Sequence, residues 1–177
     1  MGLGLEGELA IERGELERGI ALLRKCLDDL QAERHQILTT VFETRLAAGL
    51  LRLGRVDEST IVIERALGRV GADGETIDLP EIFRVRGEAL AASPLAEPGA
   101  AEASLRQARD LARRQAALGW ELRSAMSQAE LWLRQDHCAE ARALLAPVAA
   151  EYTEGVDTAD LRRAHDLLRM LDTVAAL

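Results

Sequence analysis

His137 and Cys138 stand side by side, an imidazole next to a thiol, the pairing from which a base-activated nucleophile is made. Neighbours on a helix project about 100° apart, so this base does not reach this thiol, and the pair reads as part of a surface turn. His35, His137 and His165 have neither a histidine partner four residues away nor a C-x-x-C companion, so no metal site is indicated and no cofactor is expected. Carboxylates are plentiful, but many stand at helical spacing from arginines, as Asp110 does from Arg114 and Asp160 from Arg163. That is the pattern of solvated helix faces. A phosphate-binding loop is absent too, because GADGETID, from Gly71 to Asp78, lacks the lysine such a loop requires. No residue is nominated as catalytic, and the chain reads as a non-enzymatic protein.

The charge balance narrows the partners. Twenty-two basic residues against 30 acidic ones give a net charge of −8, a field that repels phosphate backbones, and no local basic patch works against it. Nucleic acid is excluded on that ground. The longest apolar run, Ala143 to Ala150, is far below the roughly 20 residues of a membrane-spanning helix. The opening MGLGLEGELAIERGE is acidic where a secretory signal is basic, so a cytoplasmic location is expected. Cys26 in a core column and Cys138 at a helix start build no disulfide framework. With 177 residues, 48% of them hydrophobic but only 3% aromatic, the chain has the makings of one domain of helices packed through small and aliphatic side chains.

What positions these residues is a repeat. A small, large, small, large column occurs at Gly19, Leu23, Cys26, Leu30, at Ser59, Ile63, Ala66, Val70, at Ala101, Leu105, Ala108, Ala112 and at Ala141, Leu145, Val148, Tyr152. Its first members, 19, 59, 101 and 141, are spaced by 40, 42 and 40 residues. A near-constant period of that size means stacked units, each burying its apolar face against its neighbours. Helical hairpins are predicted at about 3–33, 36–71, 79–117 and 119–154, followed by a capping helix at 158–173 opened by Asp157 and Thr158. Gly14 and Gly54 stand where the chain must turn from the first helix of a hairpin into the second, and Asp136 holds the equivalent place in the last hairpin. The Ser93–Gly99 loop, with Pro94 and Pro98, accounts for part of the longer middle spacing. Trp120 and Trp132 are assigned to core packing against different helices, and Pro147 to a bend in the last repeat.

The stretch GELERGIALLRKCL resembles the turn and second helix of a tetratricopeptide repeat, and RLAAGLLRLG resembles the end of a first helix in the next unit. From Pro80 to Asp172 the order of EIFRVRGEAL, AEASLRQARDLARRQ, ELRSAMSQAELWLRQ and EYTEGVDTADL is similar to the C-terminal tetratricopeptide region of bacterial regulators that carry a STAND-class ATPase or a nucleotide cyclase. The resemblance implies an all-α fold, a right-handed α-solenoid of hairpins with a C-terminal cap, and a chain that is the C-terminal part of a larger signalling regulator. It also implies a concave groove lined by the first helices, towards which Glu81, Arg84, Glu88, Arg123, Met126, Glu130 and Arg134 would project. Such a groove would hold a peptide or an acidic ligand of a protein partner, another domain of the same regulator included, through bidentate arginine contacts. The same charges also read as ion pairs between repeats. A small-molecule sensor controlling an attached ATPase or cyclase is the alternative. The lysine and asparagine array that grips chaperone carboxylates is excluded, since the chain has one lysine, Lys25, and no asparagine.

Overall fold

The computed structural model describes residues 2–32, 38–70, 76–153 and 158–174. His35, the 71–75 part of the predicted inter-repeat break, Asp157 and the ends of the first, second and fourth predicted hairpins lie outside them. Nine helices and no strand occur among the described residues: α1 (Gly2–Glu12), α2 (Leu16–Ala32), α3 (Thr39–Arg52), α4 (Val56–Val70), α5 (Leu79–Ala92), α6 (Ala100–Arg114), α7 (Leu118–Leu133), α8 (Cys138–Ala150) and α9 (Ala159–Val174). The chain is therefore all-α, as expected.

Consecutive helices pack together, and each odd-numbered helix also packs on the next odd-numbered one, whereas among the described residues even-numbered helices do not pack on one another, α2 and α4 touching only through the exposed Arg24–Glu58 ion pair at 2.7 Å. The first helices thus share one face of a linear stack, the second helices lie on the other, and α9 closes the end against α7 and α8. The columns read from the sequence are what holds it. Their two central members, Leu23 and Cys26, Ile63 and Ala66, Leu105 and Ala108, Leu145 and Val148, are all at most 2% exposed. Burying a leucine or isoleucine in this way contributes roughly 1.5–3 kcal/mol. The core is segmented like the repeat. One cluster joins Ile11, Leu23 and Leu30 to Phe42 and Leu50, a second joins Ala47 and Ile63 to Ile82 and Leu111, and a third joins Leu122 and Leu145 to Leu161 and Leu171.

The turns follow from backbone chemistry. Gly14 and Gly54 take the left-handed conformation, φ 84° and 74°, as the sequence suggests. The Gly14 amide donates to the carbonyl of Ile11 and the Glu15 amide to that of Ala10, which satisfies carbonyls the helix end leaves open. Asp136 and Ala116 repeat the same pair of bonds at φ 62° and 52° without being glycine. Thr158 caps α9, its hydroxyl accepting from the Leu161 amide. Asp78 stands at the start of α5 but makes no capping bond. Its carboxylate instead accepts from the Thr40 hydroxyl at 2.9 Å, tying α5 to α3. Helix α8 continues through Pro147. No described helix is long and apolar enough to cross a membrane.

Candidate ligand-binding cleft

A cleft of about 690 Å³ runs along the face that the odd-numbered helices share. Glu8, Ile11 and Glu12 of α1 line one end, then Arg45, Ala48, Leu51 and Arg52 of α3, Arg84 and Glu88 of α5, and Arg123, Met126 and Ser127 of α7. Thr158, the cap of α9, and Ala159, Asp160 and Arg163 of α9 line the other end. Counted from the first lining residue of α1, α3, α5 and α7, the others follow three, four, six or seven residues on, so one stripe of each first helix faces the cleft.

Beneath the lining sits Glu81, only 4% exposed. Arg84, 8% exposed and one turn further along α5, grips both its oxygens, Nε to Oε2 at 2.7 Å and Nη2 to Oε1 at 2.9 Å. Arg123 of the next hairpin reaches the same Oε1 at 2.7 Å, and Arg45 of the preceding hairpin reaches it at 3.4 Å. Burial pushes the Glu81 carboxyl up, but Arg84, Arg123 and Arg45 outweigh it and hold the group at about 2. For Arg84 burial acts downwards and is outweighed by Glu81 and Glu88, so its guanidinium is held above its ordinary value. Arg84 Nη1 also contacts Glu88 at 2.5 Å and the Ser127 hydroxyl at 3.3 Å, and that hydroxyl donates to Glu88 at 2.6 Å. One buried carboxylate thus ties the second, third and fourth hairpins together.

The residues named from the sequence divide accordingly. Arg84, Glu88, Arg123 and Met126 line the cleft, Met126 with its side chain buried in the C-terminal core cluster. Glu81 faces inward beneath the lining, and Arg84 spends its donors on Glu81, Glu88 and Ser127. Glu130 is outside the lining and pairs with Arg163 of α9 at 2.7 Å, a partner across the helices. Arg134 ends α7 in solvent, away from the lining. The sequence reading missed Arg45 and Arg52 on α3, Glu8 and Glu12 on α1, and Asp160 and Arg163 on α9. Their signal was the stripe itself, continued onto the other first helices.

His137 and Cys138 part company at the start of α8. The imidazole is exposed, while the thiol is 8% exposed and belongs to the C-terminal core cluster, not to a surface turn. Trp132 packs against that same cluster. Among the described residues no group of three or more His, Cys, Asp or Glu side chains is placed to hold a metal ion. What the cleft offers is guanidinium donors and carboxylate acceptors at fixed places beside Ile11, Ala48, Leu51 and Met126. That suits holding a polar ligand with aliphatic parts. Comparison with family models, with curated proteins and with solved structures finds no match for the chain.

Proposed function

We propose that the chain is a recognition module of the tetratricopeptide type, a right-handed solenoid capped by α9, which binds a peptide segment of a protein partner in the cleft along its first helices. The observation that carries this reading is one cleft drawing on all five odd-numbered helices, from Glu8 of α1 to Arg163 of α9. Rigid rods that present many modest contacts along a groove suit an extended or helical segment. The likeness of the second half to STAND-class regulators makes another domain of the same cytoplasmic regulator the first partner to seek.

The test places a photo-crosslinking residue, p-benzoylphenylalanine, at Ala48 in the cleft or at exposed Arg106 on α6. Each purified variant is irradiated in bacterial cytosol. A discrete protein adduct from position 48 and none from position 106 is expected. No adduct, or the same adducts from both, overturns the reading. The sensor alternative draws on the cleft volume, which lies within the roughly 300–1,000 Å³ of small-molecule sites. Thermal stabilisation by a filtered metabolite extract, with no protein adduct, would favour it.

A further inference from the structure

We infer that the cleft holds an anionic group of its ligand, a carboxylate or a phosphate borne by a peptide, at Arg123, between Arg45 and the amino end of α9. The inference rests on the recognition reading above. Although the chain carries a net charge of −8, the cleft does not share it. Five arginines and four carboxylates line it, and Glu81 beneath makes the two signs equal, so the excess negative charge lies elsewhere.

Within the cleft the positive charge is unevenly matched. Glu81 Oε1 receives Arg84, Arg123 and Arg45, and a carboxylate oxygen has about two lone-pair sites, so it is fully committed. Arg84 has the second Glu81 oxygen and Glu88 as well, and Arg45 has Glu8 at 2.8 Å. Arg123 meets only the shared oxygen and has no carboxylate of its own among the described residues. Asp160 acts on it from a distance, without an ion-pair contact. Burial pushes the Arg123 guanidinium down, and the pull of Glu81 does not offset burial together with Arg84 and Arg45. An arriving anion supplies the missing partner. The start of α9, from its cap Thr158 to Asp160, lines the same cleft, and the open amides of a helix start add partial positive charge there. Met126, Ala48 and Leu51 offer aliphatic surface alongside. The chemistry selects an acidic side chain flanked by aliphatic residues.

Arrays of 12-residue peptides with randomised aliphatic and polar flanks test this, each made with glutamate, glutamine or phosphoserine at its centre. The full chain is compared with Arg123→Gln and Asp160→Asn, each checked for an unchanged melting curve. The glutamate or phosphoserine form is expected to bind about tenfold tighter than the glutamine form, as for a hydrogen-bonded charge. Arg123→Gln should bring the forms together, and Asp160→Asn should widen the gap, which keeps the test open if Arg123→Gln fails to fold. Phosphoserine above glutamate assigns the site to phosphate, and the reverse order assigns it to carboxylate. Binding of all forms alike overturns the anion site and leaves recognition standing. Acid preference that survives Arg123→Gln overturns it too, and binding of no form overturns both.

Discussion

Glu81 Oε1 stands 2.7 Å from Arg123 Nη2 across the seam where α5 of the third hairpin meets α7 of the fourth. The apolar clusters on the two sides of that seam are separate. Polar contacts cross it instead: Arg84 to Ser127, Ser127 to Glu88, Arg109 to Gln128 at 2.8 Å, and Arg113 to Glu121. Apolar surfaces slide over one another at small cost, whereas directed donors and acceptors buried together accept one register. The seam therefore fixes how the last hairpin is set on the rest, and with it the position of Arg123 and α9 in the cleft.

Glu81→Gln keeps the size of the side chain and removes its charge, leaving buried Arg84 and half-buried Arg123 without their common counter-ion. Breaking a buried pair from one side costs about 3–5 kcal/mol. Urea unfolding followed by circular dichroism at neutral pH should show a loss of that order. A loss under about 1 kcal/mol would mean that surrounding dipoles or water carry the charges instead.

Acid should unfold the protein through the same group. The Glu81 carboxyl lies at about 2 in the fold against an ordinary value of 4.5. A depressed carboxylate contributes stability that is complete above the ordinary value and is lost as pH falls towards the folded value. The thermal midpoint should drop between pH 4.5 and pH 2, and Glu81→Gln should drop less over that window. Parallel curves for the two proteins would sink the assignment.

The helices and their stacking were legible because packing repeats itself: Leu23, Ile63, Leu105 and Leu145 are the same position in successive units, and all are at most 1% exposed. The cleft was legible in part. Arg84, Glu88, Arg123 and Met126 fall on the stripe of their helices that faces the cleft and do line it. That Glu81 turns inward depends on Arg45 and Arg123, side chains of two other hairpins, and no local pattern encodes that meeting. Arg52 was overlooked although it lies seven residues after Arg45, two turns along the same face of α3. Its guanidinium donates to the Ile11 carbonyl at 2.9 Å, a bond across 41 residues of sequence. Ala116 gives no sequence sign of its left-handed turn, since nothing in alanine favours φ 52°.

Asp136 occupies the turn position that Gly14 and Gly54 fill in the first two hairpins, with the same left-handed backbone and the same two amide bonds. A residue with a Cβ is strained there, while glycine is not, although glycine gives back part of the gain through a more flexible unfolded chain. Asp136→Gly is therefore expected to stabilise by about 0.5–1 kcal/mol, and Gly54→Ala to destabilise by a similar amount. Thermal melts of the two variants decide it, and a lower midpoint for Asp136→Gly would show that the aspartate side chain supports the turn.

Gly19 opens the first packing column for a reason different from the turns. A Cβ built on it would lie 2.7 Å from the Gly7 carbonyl oxygen and 2.6 Å from the Ile11 side chain, and one built on Gly7 would lie 3.0 Å from the Gly19 oxygen. Helices α1 and α2 thus cross backbone to backbone, and a backbone oxygen cannot swing aside as a side-chain end does. Gly19→Ala should push α1 away from α2 and cost about 1–3 kcal/mol, more than the roughly 1 kcal/mol that alanine gains over glycine inside a helix. Gly68, on the second helix of the next hairpin, has nothing within 4 Å of a built Cβ, so Gly68→Ala should stabilise by about that helix gain. Opposite shifts of the unfolding midpoint in the two variants are the expected result. A stabilised Gly19→Ala protein would show that α1 is free to move and that the first hairpin is not locked at this crossing.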